Sequence, residues 1–63
     1  MEKMEIAFGI TYRVFYTDDT GFKREKNLRL EGGDNILYFF YNTHTEKIEA
    51  IPKRVIDRME EIK

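Results

Sequence analysis

Ile36-Leu37-Tyr38-Phe39-Phe40-Tyr41 is the stretch whose placement decides the fold. Successive side chains of a strand leave opposite faces. Ile36, Tyr38 and Phe40 therefore share one face, and Leu37, Phe39 and Tyr41 share the other. A strand that is apolar on both sides has to be covered on both sides. The run is far shorter than the ~20 apolar residues of a membrane helix.

Turn signals bracket the run. Glu31-Gly32-Gly33-Asp34 precedes it and Asn42-Thr43-His44-Thr45-Glu46 follows it. Residues 47–51 then read as a short strand. Upstream, residues 5–17 alternate strictly, with Ile6, Phe8, Ile10, Tyr12, Val14 and Tyr16 on one side. Period-two patterning of β-branched and aromatic residues predicts a strand, bent or broken at Gly9. Asp18-Asp19-Thr20-Gly21 predicts a hairpin loop, because Asp caps local amides and Gly accepts positive φ. Residues 22–30 form a second strand. Phe22, Leu28 and Leu30 share a side with Arg24 and Lys26, and the charged middle suits an exposed or edge position.

Past residue 51 the pattern changes period. Pro52 suits the first position of a helix. Val55, Ile56, Met59 and Ile62 recur at helical spacing and make one apolar stripe. A helix of ~11 residues does not persist alone in water, so it must pack on the sheet. Its charges are reversed relative to the helix dipole. Lys53 and Arg54 stand at the start and Glu60 and Glu61 near the end, an opposition of ~0.3–1 kcal/mol each. One reading of that layout is an anion held at Lys53 and Arg54.

The expected architecture is α+β: a four-stranded antiparallel β-meander, open or curled into a partial barrel, with one C-terminal α-helix packed on one face. Residues 1–63 make a single domain. A chain of 63 residues buries only about 60% of its unfolded surface and supports one small core. One helix covers one face of strand 36–41. The other face needs curvature, a second copy or a partner. Over 36–62, the order strand, turn, strand, proline, helix resembles the end of the small archaeal chromatin proteins, which are strongly basic and bind duplex DNA through a sheet face. Ile51-Pro52-Lys53-Arg54 after an aromatic strand resembles the tail of bacterial PH-type domains. This chain is acidic, both likenesses stop at topology or four residues, and no family is assigned on them.

Composition narrows the function classes. Eleven Lys+Arg stand against twelve Asp+Glu, a net charge of −1, so no basic excess points to nucleic acid. Cysteine is absent, which removes disulfides, thiolate metal sites and cysteine nucleophiles. Aromatics at 14% beside 37% charged residues suit a patterned soluble domain rather than a disordered chain. Met1-Glu2-Lys3-Met4-Glu5 carries no signal-peptide core, and the expectation is a cytoplasmic protein with no membrane partner.

Catalytic chemistry is thinly supplied. His44 is the sole histidine and lies in a polar turn without a serine or cysteine to activate. Asp19-Thr20-Gly21 matches the triplet of aspartic proteases, but its flanks read as a hairpin. Asp18, Asp19 and Asp34 lack metal-loop spacing, and the Gly32-Gly33 segment feeds a strand rather than the helix of a phosphate loop. The expectation is no enzyme, no catalytic residue, no metal and no cofactor.

Two binding readings follow. The first is a non-enzymatic protein-binding module that self-associates, with a homodimer expected, through an aromatic-rich sheet face drawn from Tyr12, Phe15, Tyr16, Tyr38, Phe39 and Tyr41. The second is an RNA or single-stranded DNA module. It would use the cations Lys23, Arg24, Lys26 and Arg29 of the second strand with Lys53 and Arg54 of the helix start.

Overall fold

The structure, a computed structural model, describes residues 6–62. Five strands form one antiparallel sheet: β1 Thr11–Thr17, β2 Lys23–Gly33, β3 Leu37–Asn42, β4 Lys47–Pro52 and β5 Ile56–Glu61. Their order across the sheet is β4-β3-β2-β1-β5. The expected four-stranded α+β sheet with a C-terminal helix is not what forms: β1 to β4 run as consecutive antiparallel neighbours, but a fifth strand stands where the helix was expected and the fold is all β. Residues 53–55 make one 3₁₀ turn, and the chain then enters a fifth strand paired with β1. Among the described residues there is no α-helix.

The correction has a physical cause. The apolar positions that suggested a helix serve a strand in other ways. Met59 is buried opposite Val14, while Ile56 pairs with Tyr16 across a bulge and packs at the edge of the core. The free edge of β1 offers interstrand hydrogen bonds, and tertiary pairing of that kind overrides a weak local helix preference. A strand has almost no dipole, so the reversed charges cost it nothing. Arg58 instead lies over the Phe15 ring and pairs with Glu60.

The first strand is shorter than expected. The alternating segment begins at Glu5, outside the described residues, and regular pairing starts only at Thr11. Gly9 turns the chain at φ 84°, a conformation open to glycine, and its N–H reaches the Leu30 carbonyl. The hairpin at 18–21 forms as the turn chemistry implies. Asp18 Oδ1 accepts from the Thr20 and Phe22 amides, each at 3.0 Å, and Gly21 has φ 91°.

The sheet must curl. On a flat sheet, β4 and β5 would lie four strand spacings apart, ~19 Å at ~4.8 Å each. The link from Pro52 to Ile56 reaches ~14 Å fully extended, and a 3₁₀ turn shortens it. β4 and β5 therefore approach each other across an open seam without pairing. The concave side encloses the core: Tyr12, Val14, Leu28, Leu30, Phe40, Ile51 and Met59. Phe40, at 0% exposure, is thus covered by curvature and not by a helix. No helix among the described residues is long and apolar enough to cross a membrane.

Candidate functional site

Cross-strand partners share a face, so the register assigns every side chain to one. On the concave face, Tyr12 pairs with Leu28 and Tyr16 with Arg24, while Tyr38 pairs with Ile51. Tyr12 is a core residue whose hydroxyl accepts the Ala7 N–H at 3.0 Å. Tyr38 packs edge-on against Phe40, with centroids 6.0 Å apart, and the Lys53 ammonium sits 4.6 Å above its ring. Tyr16 lies at the rim of the open seam.

On the convex face, Phe39 faces Ala50 and Tyr41 faces Ile48. Arg29, opposite Tyr41 on β2, lays its guanidinium 4.9 Å from that ring. Phe15 is also convex but stands four residues along β1 from the row of Thr11, Arg29 and Tyr41. It lies under Arg58, at 4.3 Å. The six aromatic candidates thus divide. Phe39 and Tyr41 come together outside, Phe15 stands apart on that face, and Tyr12, Tyr16 and Tyr38 turn inward.

The convex patch also holds residues outside the six aromatic candidates. Leu37 lies on the same face as Phe39 and Tyr41, half-buried. Ile48 is 59% exposed. The signal for Ile48 and Ala50 was their alternation with Glu49 and Ile51 in a strand too short to stand out. Apolar side chains gathered this way mark a contact surface more than isolated ones do.

The patch runs to an unpaired edge. The Lys53 N–H donates to the Ile36 carbonyl at 2.8 Å. Bonded and non-bonded pairs alternate along an antiparallel ladder. The bonded pairs within it are therefore Tyr38–Ile51, Phe40–Glu49 and Asn42–Lys47. The amides and carbonyls of Ile48 and Ala50, with the Pro52 carbonyl, consequently point away from β3 into the seam. Alongside them runs a groove of about 650 Å³, lined by residues that include Tyr16, Asp18, Asp19, Ile51, Pro52 and Val55.

The cations named for nucleic acid are distributed differently. Lys23 and Arg29 are convex, and Arg24 and Lys26 concave. Each has a carboxylate: Lys23–Asp57 at 3.4 Å, Arg24–Asp18 at 2.6 Å, Lys26–Glu49 at 3.0 Å, and Arg29–Glu31. Lys53 is over Tyr38, and Arg54 is exposed on the 3₁₀ turn.

Lys26 is an unusual member of the concave face, level with Val14. Its ammonium meets Glu49 Oε1, and Asn42 Nδ2 donates to Glu49 Oε2 at 2.8 Å. Asn42 Oδ1 in turn accepts the His44 and Thr45 amides. Burial pushes the Glu49 carboxyl up, but hydrogen bonds from Asn42 and Lys26 outweigh it and hold it below its usual value. Glu49 raises the Lys26 ammonium. The Thr20 hydroxyl and then Arg24 hold Asp18 well below the carboxylate range. These groups are held in internal pairs that cap turns and tie strands. Among the described residues no three His, Asp or Glu side chains gather to hold a metal.

Set against protein-family models, curated proteins and solved structures, the chain matches none.

Proposed function

We propose that this chain is a small non-enzymatic protein-binding module that self-associates through the convex face of β3 and β4. The observation that carries the reading is the patch of Leu37, Phe39, Tyr41 and Ile48, continuous with the unpaired edge of β4. Aromatic and aliphatic anchors beside a free edge combine the two means by which sheets recognise protein: buried apolar area and main-chain hydrogen bonds. The pairing of the β2 cations with Asp18, Glu31, Glu49 and Asp57 favours protein over nucleic acid. A phosphate backbone would have to compete for cations already engaged, in a chain of net charge −1. A cytoplasmic setting belongs to the same reading, because small secreted domains commonly rely on disulfides and this one has no cysteine.

Sedimentation equilibrium tests it. The wild type should associate reversibly, and Tyr41→Ser combined with Ile48→Ser should weaken association without unfolding the chain. A strict monomer at every accessible concentration overturns the reading. So does tight binding of mixed single-stranded DNA at physiological salt, well below the ~10⁻⁴ to 10⁻⁶ M of non-specific binders.

A further inference from the structure

We infer that the second copy docks edge to edge, β4 against antiparallel β4, about a two-fold axis through Ala50. The inference rests on the self-associating reading above and places the contact at the β4 edge of the patch rather than over the face of β3. Closed two-fold dimers require a self-complementary surface. The β4 edge has one. With Ala50 opposite Ala50 of the second copy, each Ala50 N–H meets the other's carbonyl. Each Ile48 N–H meets the Pro52 carbonyl across the axis. The outward donors of β4 then have acceptors, and Pro52, whose ring stands where an N–H would meet the Ile48 carbonyl, ends the ladder on each side.

The side chains agree with that register. The convex row across the axis reads Ile48, Ala50 and Pro52 against Pro52, Ala50 and Ile48, with no charge in it. The two convex patches become one. Just past the paired segment, Glu46 comes level with Arg54 of the second copy, at both ends of the interface. Arg54 is exposed and forms none of the ion pairs seen among the described residues. Lys47 comes level with Lys53, whose ammonium is already placed over Tyr38. Ala50 and Pro52 of that edge line the groove beside β4.

The other edge does not compete. The Ile62 N–H bonds the Thr11 carbonyl, so the outward groups of β5 belong to Met59 and Glu61, whose side chains are concave. Antiparallel partners share a face, so joining β5 to the convex-facing Ile48 and Ala50 of β4 would turn one barrel inside out. Asp57, Arg58, Glu60 and Glu61 also blunt β5, as charged residues do on protected edges.

The test uses the intact chain and three substitutions. Ala50→Pro removes an amide that faces away from β3, at an edge position where proline is tolerated. It should leave the circular dichroism of the fold intact and raise the dimer dissociation constant at least about tenfold. Ala50→Lys and Ala50→Asp each put like charges across the axis and should weaken the homodimer by about fivefold at low salt. Mixed in equal amounts, the two should form a heterodimer tighter than either homodimer. Should Ala50→Pro fail to fold, the charge pair alone decides. A dimer indifferent to all three but dissolved by Tyr41→Ser with Ile48→Ser overturns the edge pairing and leaves the face reading standing. A monomeric wild type overturns both.

Discussion

Val14 and Met59 oppose each other across β1 and β5, at 0% and 6% exposure. This pair fastens the last strand to the core. Met59→Ala should cost ~2–4 kcal/mol, the range for emptying a buried large side chain. Met59→Ile should cost under ~1.5 kcal/mol, since volume is conserved and β-branching suits a strand. Urea denaturation of the two variants measures both. A larger loss for Ile than for Ala would mean that residues 56–61 are not extended.

Gly32 and Gly33 are neighbours with opposite surroundings. A Cβ on Gly33 would lie 2.9 Å from the Leu37 carbonyl oxygen and 2.9 Å from Tyr38 Cδ1, whereas one on Gly32 meets open space. Gly33→Ala should therefore destabilise by ~1–3 kcal/mol through forced displacement of Tyr38. Gly32→Ala should be neutral or mildly stabilising, because it restricts the unfolded chain. Equal thermal midpoints for the two variants would contradict the close approach of the end of β2 to β3.

The local features were the legible ones. The turns at 18–21 and 42–46 follow from side chains bonding amides two to four residues away, and such chemistry is written in adjacent residues. The inward and outward alternation of β1 and β3 was legible for the same reason. The last strand was not. Val55, Ile56, Met59 and Ile62 fit a helix locally, and what opposes them is the edge of β1, forty or more residues earlier in the chain. One clue was present: Lys53 and Arg54 leading, Glu60 and Glu61 trailing, a layout that a helix resists and a strand ignores. Tyr12, Tyr16 and Tyr38 proved to face inward for a related reason. Which face becomes concave is decided when the link after Pro52 draws β5 round to β1, and no window of sequence contains that event.

Lys26, Glu49 and Asn42 tie β2 and β3 to β4 on the concave side. Removing Lys26 while keeping its stem, as in Lys26→Met, leaves Glu49 with half its partners. A fully buried pair broken this way costs 3–5 kcal/mol. The Lys26 and Glu49 side chains are 40% and 25% exposed, so water replaces much of the loss and ~1 kcal/mol is expected. The double variant Lys26→Met with Glu49→Gln should recover part of it, giving a coupling of at least ~0.5 kcal/mol in a double-mutant cycle. Strict additivity would show that the two side chains act separately.

Acid should loosen the fold through Asp18 before it reaches the core. The native carboxylate accepts from the Thr20 hydroxyl and amide, from the Phe22 amide and from Arg24, which together hold it well below the ordinary value. In the unfolded chain the same group takes up a proton near ~3.9. The native state therefore gains stability from Asp18 that is complete above that pH and is lost as the pH falls toward the depressed native value. Glu49, and Asp34 with its bonds from the Leu37 and Ile36 amides, shift in the same direction and add to the slope. Asp18→Asn keeps an acceptor for Thr20 and Phe22 but gives up the charge that Arg24 meets. Its urea midpoint should lie below that of the wild type near neutrality and fall less steeply from about pH 5 downward, so that the two curves converge toward pH ~2. Curves that stay parallel across that range would assign the acid sensitivity to another carboxylate.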